Sequence, residues 1–87
     1  MTYAERMKTK LMAEFDPTHL EIIDESEAHR GHGGYREGGE THFKVIITSA
    51  KFNGQTRVTQ QRAIMALLRH EMDERVHALA LVVSETD

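Results

Sequence analysis

Three histidines in one glycine-rich stretch are the side chains of this sequence best suited to bind a metal. They are His29, His32 and His42, in AHRGHGGYREGGETHF at residues 28–43, which also holds five of the six glycines. Imidazole is a ligand for zinc, copper and iron, and the spacing His29-x-x-His32 brings two rings close together. The glycines argue against a helix or strand, and loops of this length are often functional. The stretch is therefore either a ligand-binding loop or a solvated connection.

The donors that this chain offers indicate an open metal site rather than a closed one. A structural zinc site closes four ligands, usually with cysteine, and this sequence has no cysteine and no obvious fourth ligand. A soft metal centre would therefore need sulfur from a partner, and the lack of cysteine fits a reducing compartment. His77 is a further candidate, but its shared face with Leu79 and Leu81 favours a core histidine over a ligand.

The composition indicates one globular domain without a recognisable catalytic motif. A chain of 87 residues, 39% hydrophobic and 29% charged, predicts a single domain over residues 1–87. No serine lies in a nucleophile elbow, and the glycine stretch lacks the lysine and helix start of a phosphate-binding loop. No apolar run approaches the ~18 residues of a membrane span. The first residues resemble no signal or transit peptide, so we expect a cytoplasmic protein. Because no catalytic motif is recognisable, we expect that it is not an enzyme.

Charge is distributed unevenly along the chain. Residues 41–70 contain no Asp or Glu but five basic residues, so the net charge of −3 combines +5 in this stretch with −8 elsewhere. Such an asymmetry is typical of a surface for phosphate or an acidic partner, although a solvated basic helix explains it as well. The basic residues are Lys44, Lys51, Arg57, Arg62 and Arg69.

The first half of the chain predicts one helix and two strands. Thr2-x-x-Glu5 is a capping box before apolar residues that recur every fourth position, and Pro17 ends this helix. Apolar and polar residues then alternate over 18–25 and again over 41–49, which indicates two half-buried strands.

The second half predicts a turn, a helix and a third strand. Gly54 is expected at a positive φ in the turn, and apolar spacing of three and four residues predicts a helix over 57–72. A short β-branched run over 76–83 predicts the last strand. The order α-β-β-α-β predicts a small α+β domain with helices on one face of a three-stranded sheet.

Four short motifs, in this element order, resemble those of the BolA family. They are DESEAH at 24–29, GETHFKV at 39–45, KFNG at 51–54 and VHALAL at 76–81, and together they cover nearly the whole chain. The resemblance implies a mixed sheet close to that of the type II KH domain. In that fold the first two strands are antiparallel and the third is parallel to the second.

The resemblance also implies a partner and a cofactor. Family members pair with a monothiol glutaredoxin and share a bridging 2Fe–2S cluster, for which the glutaredoxin supplies its cysteine and a bound glutathione. No cofactor is then expected in the isolated chain. The BolA side supplies His77 and a loop histidine, here His29 with His32 as the alternative. His42 also matches a family motif, but because it starts a strand we expect it to be structural or to support a ligand rather than to bind the metal. Two-histidine ligation is known in Rieske clusters.

One departure from the family pattern concerns the second helix. It reads Gln60-Gln61-Arg62 where the family usually has an R-H-R-like stretch, which leaves the details of partner recognition open but does not affect the expected ligands. The G-x-x-G loop of nucleic-acid-binding KH domains is also absent from the helical region, which argues against RNA binding by that route.

Two other functions remain open from the sequence. The first is a DNA-binding transcriptional regulator, since some family members are described as such. It would use the basic surface of Lys51, Arg57, Arg62 and Arg69. The second is a zinc or copper protein that binds the metal alone through His29 and His32.

Overall fold

The computed structural model describes residues 2–26 and 39–86. Helices and strands follow in the order α1 (Tyr3–Phe15), β1 (His19–Asp24), β2 (His42–Thr48), α2 (Arg57–Leu67), α3 (Arg69–Glu74) and β3 (Ala78–Ser84). The predicted strands and the first helix agree with these bounds to within two residues. Within the described ranges, no helix has the length and apolar character needed to cross a membrane.

Helix α1 begins and ends where its terminal residues dictate. The Thr2 hydroxyl accepts a hydrogen bond from the Glu5 amide at 3.0 Å and so satisfies one N–H of the first turn. Asp16 ends the helix in a left-handed conformation, with φ 43°, and its amide donates to the Met12 carbonyl at 3.1 Å. The buried stripe of this helix consists of Met7, Leu11 and Phe15.

The sheet has the order β1-β2-β3, with β1 antiparallel and β3 parallel to the central strand β2. On β2, the side chains of Phe43, Val45 and Ile47 are buried and form the core with α1 and α2. The intervening side chains of β2 therefore lie on the opposite, open face. The α+β fold with helices on one face of a mixed sheet is confirmed.

The second predicted helix is interrupted, and its prediction as one continuous element was wrong. Leu68 leaves helical geometry, with φ −98° and ψ 15°, and separates α2 from α3. Its side chain is nevertheless fully buried, and its amide still donates to the Ile64 carbonyl at 3.0 Å. The apolar spacing therefore continues across the break although the backbone does not remain helical.

The break places the carboxylate of Glu71 beneath α1. Its side chain is fully buried, and Lys10 Nζ lies 2.8 Å from one carboxylate oxygen. Arg6 Nη2 lies 2.8 Å from the other oxygen as an ion pair, without the alignment of a hydrogen bond. Burial alone would raise the pKa of Glu71, but Lys10 and Arg6 hold it below its ordinary value. This network ties α1 to α3.

Candidate functional site

His42 and His77 lie side by side where β2 and β3 begin. In the parallel pair, His42 is in register with Ala78, so the residue before β3 lies next to the start of β2. The two imidazole centroids are 5.4 Å apart and the rings are tilted by 53°. Antiparallel β1 ends at the same place, since Asp24 pairs with Phe43. We call this region the histidine edge, and it comprises Asp24, Ser26, Thr41, His42 and His77.

The imidazole of His42 is held from inside the protein. Its residue is 5% exposed, and its Nδ1 lies 2.9 Å from the hydroxyl of Thr41. Thr41 itself is fully buried. A buried ring with a local hydrogen bond is consistent with the structural role expected for His42 at the start of a strand.

The imidazole of His77 is exposed, so its interpretation as a core histidine was wrong. Strand β3 begins one residue later, at Ala78, and His77 therefore lies outside the alternation that half-buries Leu79 and Leu81. Its backbone is nonetheless fixed, because its amide donates to the Thr41 carbonyl at 2.7 Å. An exposed ring on an anchored backbone can reach a group outside this chain.

Ser26 joins the end of β1 and the start of β2 through its hydroxyl. The oxygen accepts hydrogen bonds from the amides of Thr41 at 2.9 Å and His42 at 3.2 Å. The same hydroxyl donates to Asp24 Oδ1 at 2.5 Å. Because Thr41 also holds the backbone of His77, these hydrogen bonds run without interruption from the carboxylate of Asp24 to the exposed histidine. We call Asp24, Ser26 and Thr41 the Ser26 clasp.

Asp24 also orders the chain that enters β2. Its Oδ2 accepts from the Glu40 amide at 3.1 Å, and a Cβ at Gly39, which has φ 75°, would lie 3.1 Å from that same oxygen. The Gly39 carbonyl accepts from Arg75 Nε at 3.0 Å and Nη2 at 2.7 Å. Burial would raise the pKa of Asp24, but hydrogen bonds from Ser26 and the charge of Arg75 hold it below its ordinary value.

His29 and His32, the predicted loop ligands, lie outside the described residues. The residues on either side of this segment, Ser26 and Gly39, both belong to or contact the Ser26 clasp. In the part of the chain that the structure describes, no group of three or more His, Cys, Asp or Glu side chains could hold a metal ion.

The predicted basic surface is spread over several elements. Arg57 and Arg62 are exposed on α2, while Lys51 reaches α1, where its Nζ donates to the Glu14 carbonyl at 2.8 Å. Arg69 on α3 is exposed and lies 3.8 Å from the carboxylate of Asp73. Arg57 and Arg62 thus lie exposed on the same helix, whereas Lys51 contacts α1 and Arg69 lies near Asp73.

Gln60, which departs from the family pattern, has a structural role in the turn before α2. Its side chain is buried, and its Nε2 donates to the carbonyls of Phe52 at 3.1 Å and Gln55 at 3.2 Å. Gly54, in the same turn, has the predicted positive φ, at 79°. Gln60 thus stabilises the turn rather than a binding surface. Arg62 is the residue of this stretch that is exposed to solvent.

Ser26 and Thr41 were not predicted as functional residues, although both lie in the family motifs. The one feature of the sequence that could have indicated them is that small polar residues lie on each side of the glycine-rich stretch. Only the pairing of β1 with β2 brings them within hydrogen-bond distance across a sequence separation of 15 residues.

The fold of this chain is that of a known protein family. Residues 11–87 match the BolA-like protein family. The chain belongs to this family, as the four motifs indicated.

Individual relatives agree with this assignment. An uncharacterized protein in the cobS 5′ region of Sinorhizobium sp is 44% identical over 82 residues, which cover 93% of this chain and 88% of that protein. The DNA-binding transcriptional regulator BolA of Escherichia coli is 41% identical over 81 residues, which cover 93% of this chain and 73% of that protein. Among solved structures, the BolA domain of SufE1 from Arabidopsis thaliana superposes with a TM-score of 0.87 at 38% identity, over 98% of this chain and 93% of that one.

Proposed function

We propose that this protein is a non-enzymatic partner of a monothiol glutaredoxin and shares a bridging 2Fe–2S cluster with it. Its cellular part would be iron–sulfur cluster handling and iron- or stress-linked regulation. The observation that carries the proposal is the exposed imidazole of His77, on an anchored backbone at the histidine edge of a BolA-family chain.

The donors of this chain fit a shared cluster. Neutral imidazole binds iron, whereas the thiolates that such clusters favour are absent from this chain, which has no cysteine. The partner and its glutathione would supply the sulfur ligands, and the cluster when bound would supply electron-transfer or iron-donor chemistry. Because the Thr41 carbonyl already fixes the backbone of His77, little conformational freedom is lost when the ring binds.

The second ligand from this chain is His29, with His32 as the alternative. His29 follows Ser26 by three positions, and three extended residues span at most about 10 Å. Ser26 belongs to the histidine edge, so three residues of chain join this edge to His29. His32 needs twice that length of chain.

Cluster reconstitution with a monothiol glutaredoxin, glutathione, iron and sulfide tests the proposal. The mixture is separated by size and monitored by visible absorption and circular dichroism. We expect a coloured 1:1 complex whose spectrum differs from that of the glutaredoxin homodimer. A colourless mixture that separates into its two proteins would contradict the proposal.

Substitution of single histidines then identifies the ligands. His77→Ala is expected to abolish or change the spectrum of the mixed complex, and His29→Ala and His32→Ala distinguish the two loop candidates. The matched control is His19→Ala, because His19 is 54% exposed at the far end of β1 and pairs with Glu21 instead. An unchanged spectrum for His77→Ala would remove that residue as a ligand.

DNA binding is a second candidate function, and the exposed guanidinium groups of Arg57 and Arg62 on α2 favour it. A relative named as a DNA-binding transcriptional regulator, 41% identical over 81 residues, supports the same candidate. Each phosphate that such side chains neutralise makes the affinity fall more steeply as salt rises.

Binding of a promoter fragment at increasing salt tests this second candidate. We expect binding at about 50 mM salt and release by about 200 mM. Arg57→Gln with Arg62→Gln should reduce the slope of log affinity against log salt by about one for each arginine that binds a phosphate. Lys8→Gln on α1 is the matched control, and an equal reduction in that variant would show that the effect of the arginines is only one of net charge.

A further inference from the structure

Strand β3 is an edge strand with an unpaired side. It pairs with β2 alone in the three-stranded sheet. The Ala78 amide donates to Thr41 and the Ser84 carbonyl accepts from Ser49, so the even-numbered residues of β3 direct their backbone groups toward β2. In a parallel ladder the odd-numbered residues then direct theirs outward. Their amides and carbonyls meet no partner among residues 2–26 and 39–86.

The two edges of the sheet differ in how they discourage pairing. The β1 edge reads HLEIID and carries charged and paired side chains, among them His19 bound to Glu21 at 2.8 Å. The β3 edge reads ALALVVS, seven residues without a charge or a proline. Natural proteins blunt exposed edges with charges, prolines or bulges, and a flat apolar edge is a template for another strand. The β3 edge is therefore the side of the sheet open to a further strand.

We propose that the β3 edge pairs with the β3 edge of a second copy of this chain. The strands run antiparallel around a twofold axis at Leu81, so that Leu79 of one copy lies opposite Val83 of the other. This register places the outward backbone groups of the odd-numbered residues opposite one another. The two sheets join into one continuous sheet of six strands.

The ends of β3 are complementary in charge, and this favours a second copy over an unrelated strand. Arg75 and His77 precede the strand, and Glu85 follows it. Antiparallel pairing around Leu81 sets His77 opposite Glu85 of the second copy. Both His77 and Glu85 are exposed in the single chain, so they can meet across the axis. The twofold axis repeats this imidazole–carboxylate contact at both ends of the strand pair.

The space beside the edge admits the second strand. A cavity of about 450 Å³ lies between the start of α2 and β3, lined by Gln60 and Gln61 on the helix and by Leu81, Val82 and Val83 on the strand. Three consecutive residues of β3 line the cavity, so it runs alongside this strand. Helix α2 therefore leaves that edge uncovered.

The self-pairing has a consequence for the proposed cluster function, on which this one step rests. His77 cannot lie against Glu85 of a second copy and ligate a cluster shared with a glutaredoxin at the same time. The homodimer and the glutaredoxin complex then exclude each other.

Two variants test the pairing, one with acidic and one with basic side chains next to the twofold axis. In the proposed register Ala80 lies opposite Val82 of the second copy, and both side chains are exposed on the open face. Sedimentation equilibrium is measured for the unaltered chain and for the double variants Ala80→Glu with Val82→Glu and Ala80→Lys with Val82→Lys. Two pairs of like charges should weaken self-association about tenfold or more in each variant. An equimolar mixture of the two variants should recover a 1:1 heterodimer.

A control variant and three possible results decide whether the proposed pairing is correct. Ile23→Glu changes a residue that is 41% exposed on the open face of β1, and it should leave self-association unchanged. An unaltered chain that remains monomeric up to about 1 mM would overturn the proposal, and so would double variants that dimerise as it does. The absence of a heterodimer in the mixture would overturn the register.

Cluster reconstitution on the same variants separates this proposal from the proposed function. The monomeric variants retain His77 and should form the coloured glutaredoxin complex at least as readily as the unaltered chain. A dimer that responds to the charges while no cluster forms in any sample would leave the pairing standing and remove the cluster function.

Discussion

Removal of the Ser26 hydroxyl should destabilise the protein more than any other loss of a single oxygen at the histidine edge. Ser26 is 1% exposed, and its oxygen accepts from the Thr41 and His42 amides while donating to Asp24. Ser26→Ala leaves two amides without their acceptor, and an unsatisfied buried donor costs about 1–3 kcal/mol. We therefore expect the free energy of unfolding to fall by about 3 kcal/mol, with Tm lower by on the order of 15 °C.

Urea unfolding followed by far-ultraviolet circular dichroism measures this change. Ser84→Ala is the matched control, because the Ser84 side chain is exposed and its removal should change the free energy of unfolding by less than about 0.5 kcal/mol. Combined with Asp24→Asn in a double-mutant cycle, Ser26→Ala should show a coupling of about 1 kcal/mol or more. A decrease below about 1 kcal/mol, without coupling, would refute the clasp as a buried network, since water would then replace the hydroxyl.

Other positions give further expectations. The pKa of Glu71 is held below its ordinary value of 4.5, so its stabilisation is complete above that pH and is lost as the pH falls through the lower folded value. Glu71→Gln should thus lower the free energy of unfolding by about 2 kcal/mol at pH 7 and flatten its decline as the pH falls below 4.5, as urea titrations at each pH would show. Gly54→Ala should cost about 1 kcal/mol, because φ is 79° while no atom lies within 4 Å of the added Cβ; an unchanged urea midpoint would show that the turn relaxes. Leu11→Ala should cost about 3 kcal/mol, and Met12→Ala, 46% exposed on the same helix, well under 1 kcal/mol in the same assay; equal decreases would contradict the assigned helix face.

The first helix and the central strand were predictable because local residues determine them. Thr2 and the stripe that ends at Phe15 specify α1, and strict alternation specifies β2 and the face that it buries. Gly54 was likewise predictable, since a left-handed turn position favours glycine whatever surrounds it. These signals lie within a few residues of the feature that they predict.

The break at Leu68 and the burial of Glu71 depend on distant parts of the chain. Leu68 satisfies the apolar pattern of a continuous helix, so nothing in the spacing reveals that its backbone departs from it. Glu71 is an acid on a polar stretch, and only the packing of α3 against α1 surrounds it with Arg6 and Lys10. A one-dimensional pattern contains no information about which helix lies opposite.

The candidate site was predictable in its exposed ligand and not in its support. The motif around His77 indicated that residue, whereas alternation alone assigned it to the core, because alternation cannot determine where a strand begins. The Ser26 clasp requires the antiparallel pairing of β1 with β2, which brings Ser26 to Thr41. The polar residues that hold a site are thus harder to find than those that act in it.

The proposal that His77 binds iron of a shared cluster is tested most directly by pulsed electron paramagnetic resonance of the reduced complex. This chain alone is labelled with ¹⁵N-histidine, and an unlabelled glutaredoxin supplies the remaining ligands. We expect hyperfine coupling from ¹⁵N in the mixed complex, and its disappearance or reduction in His77→Ala but not in His19→Ala. A cluster signal without ¹⁵N coupling would show that no histidine of this chain binds the iron, and would contradict the proposed function.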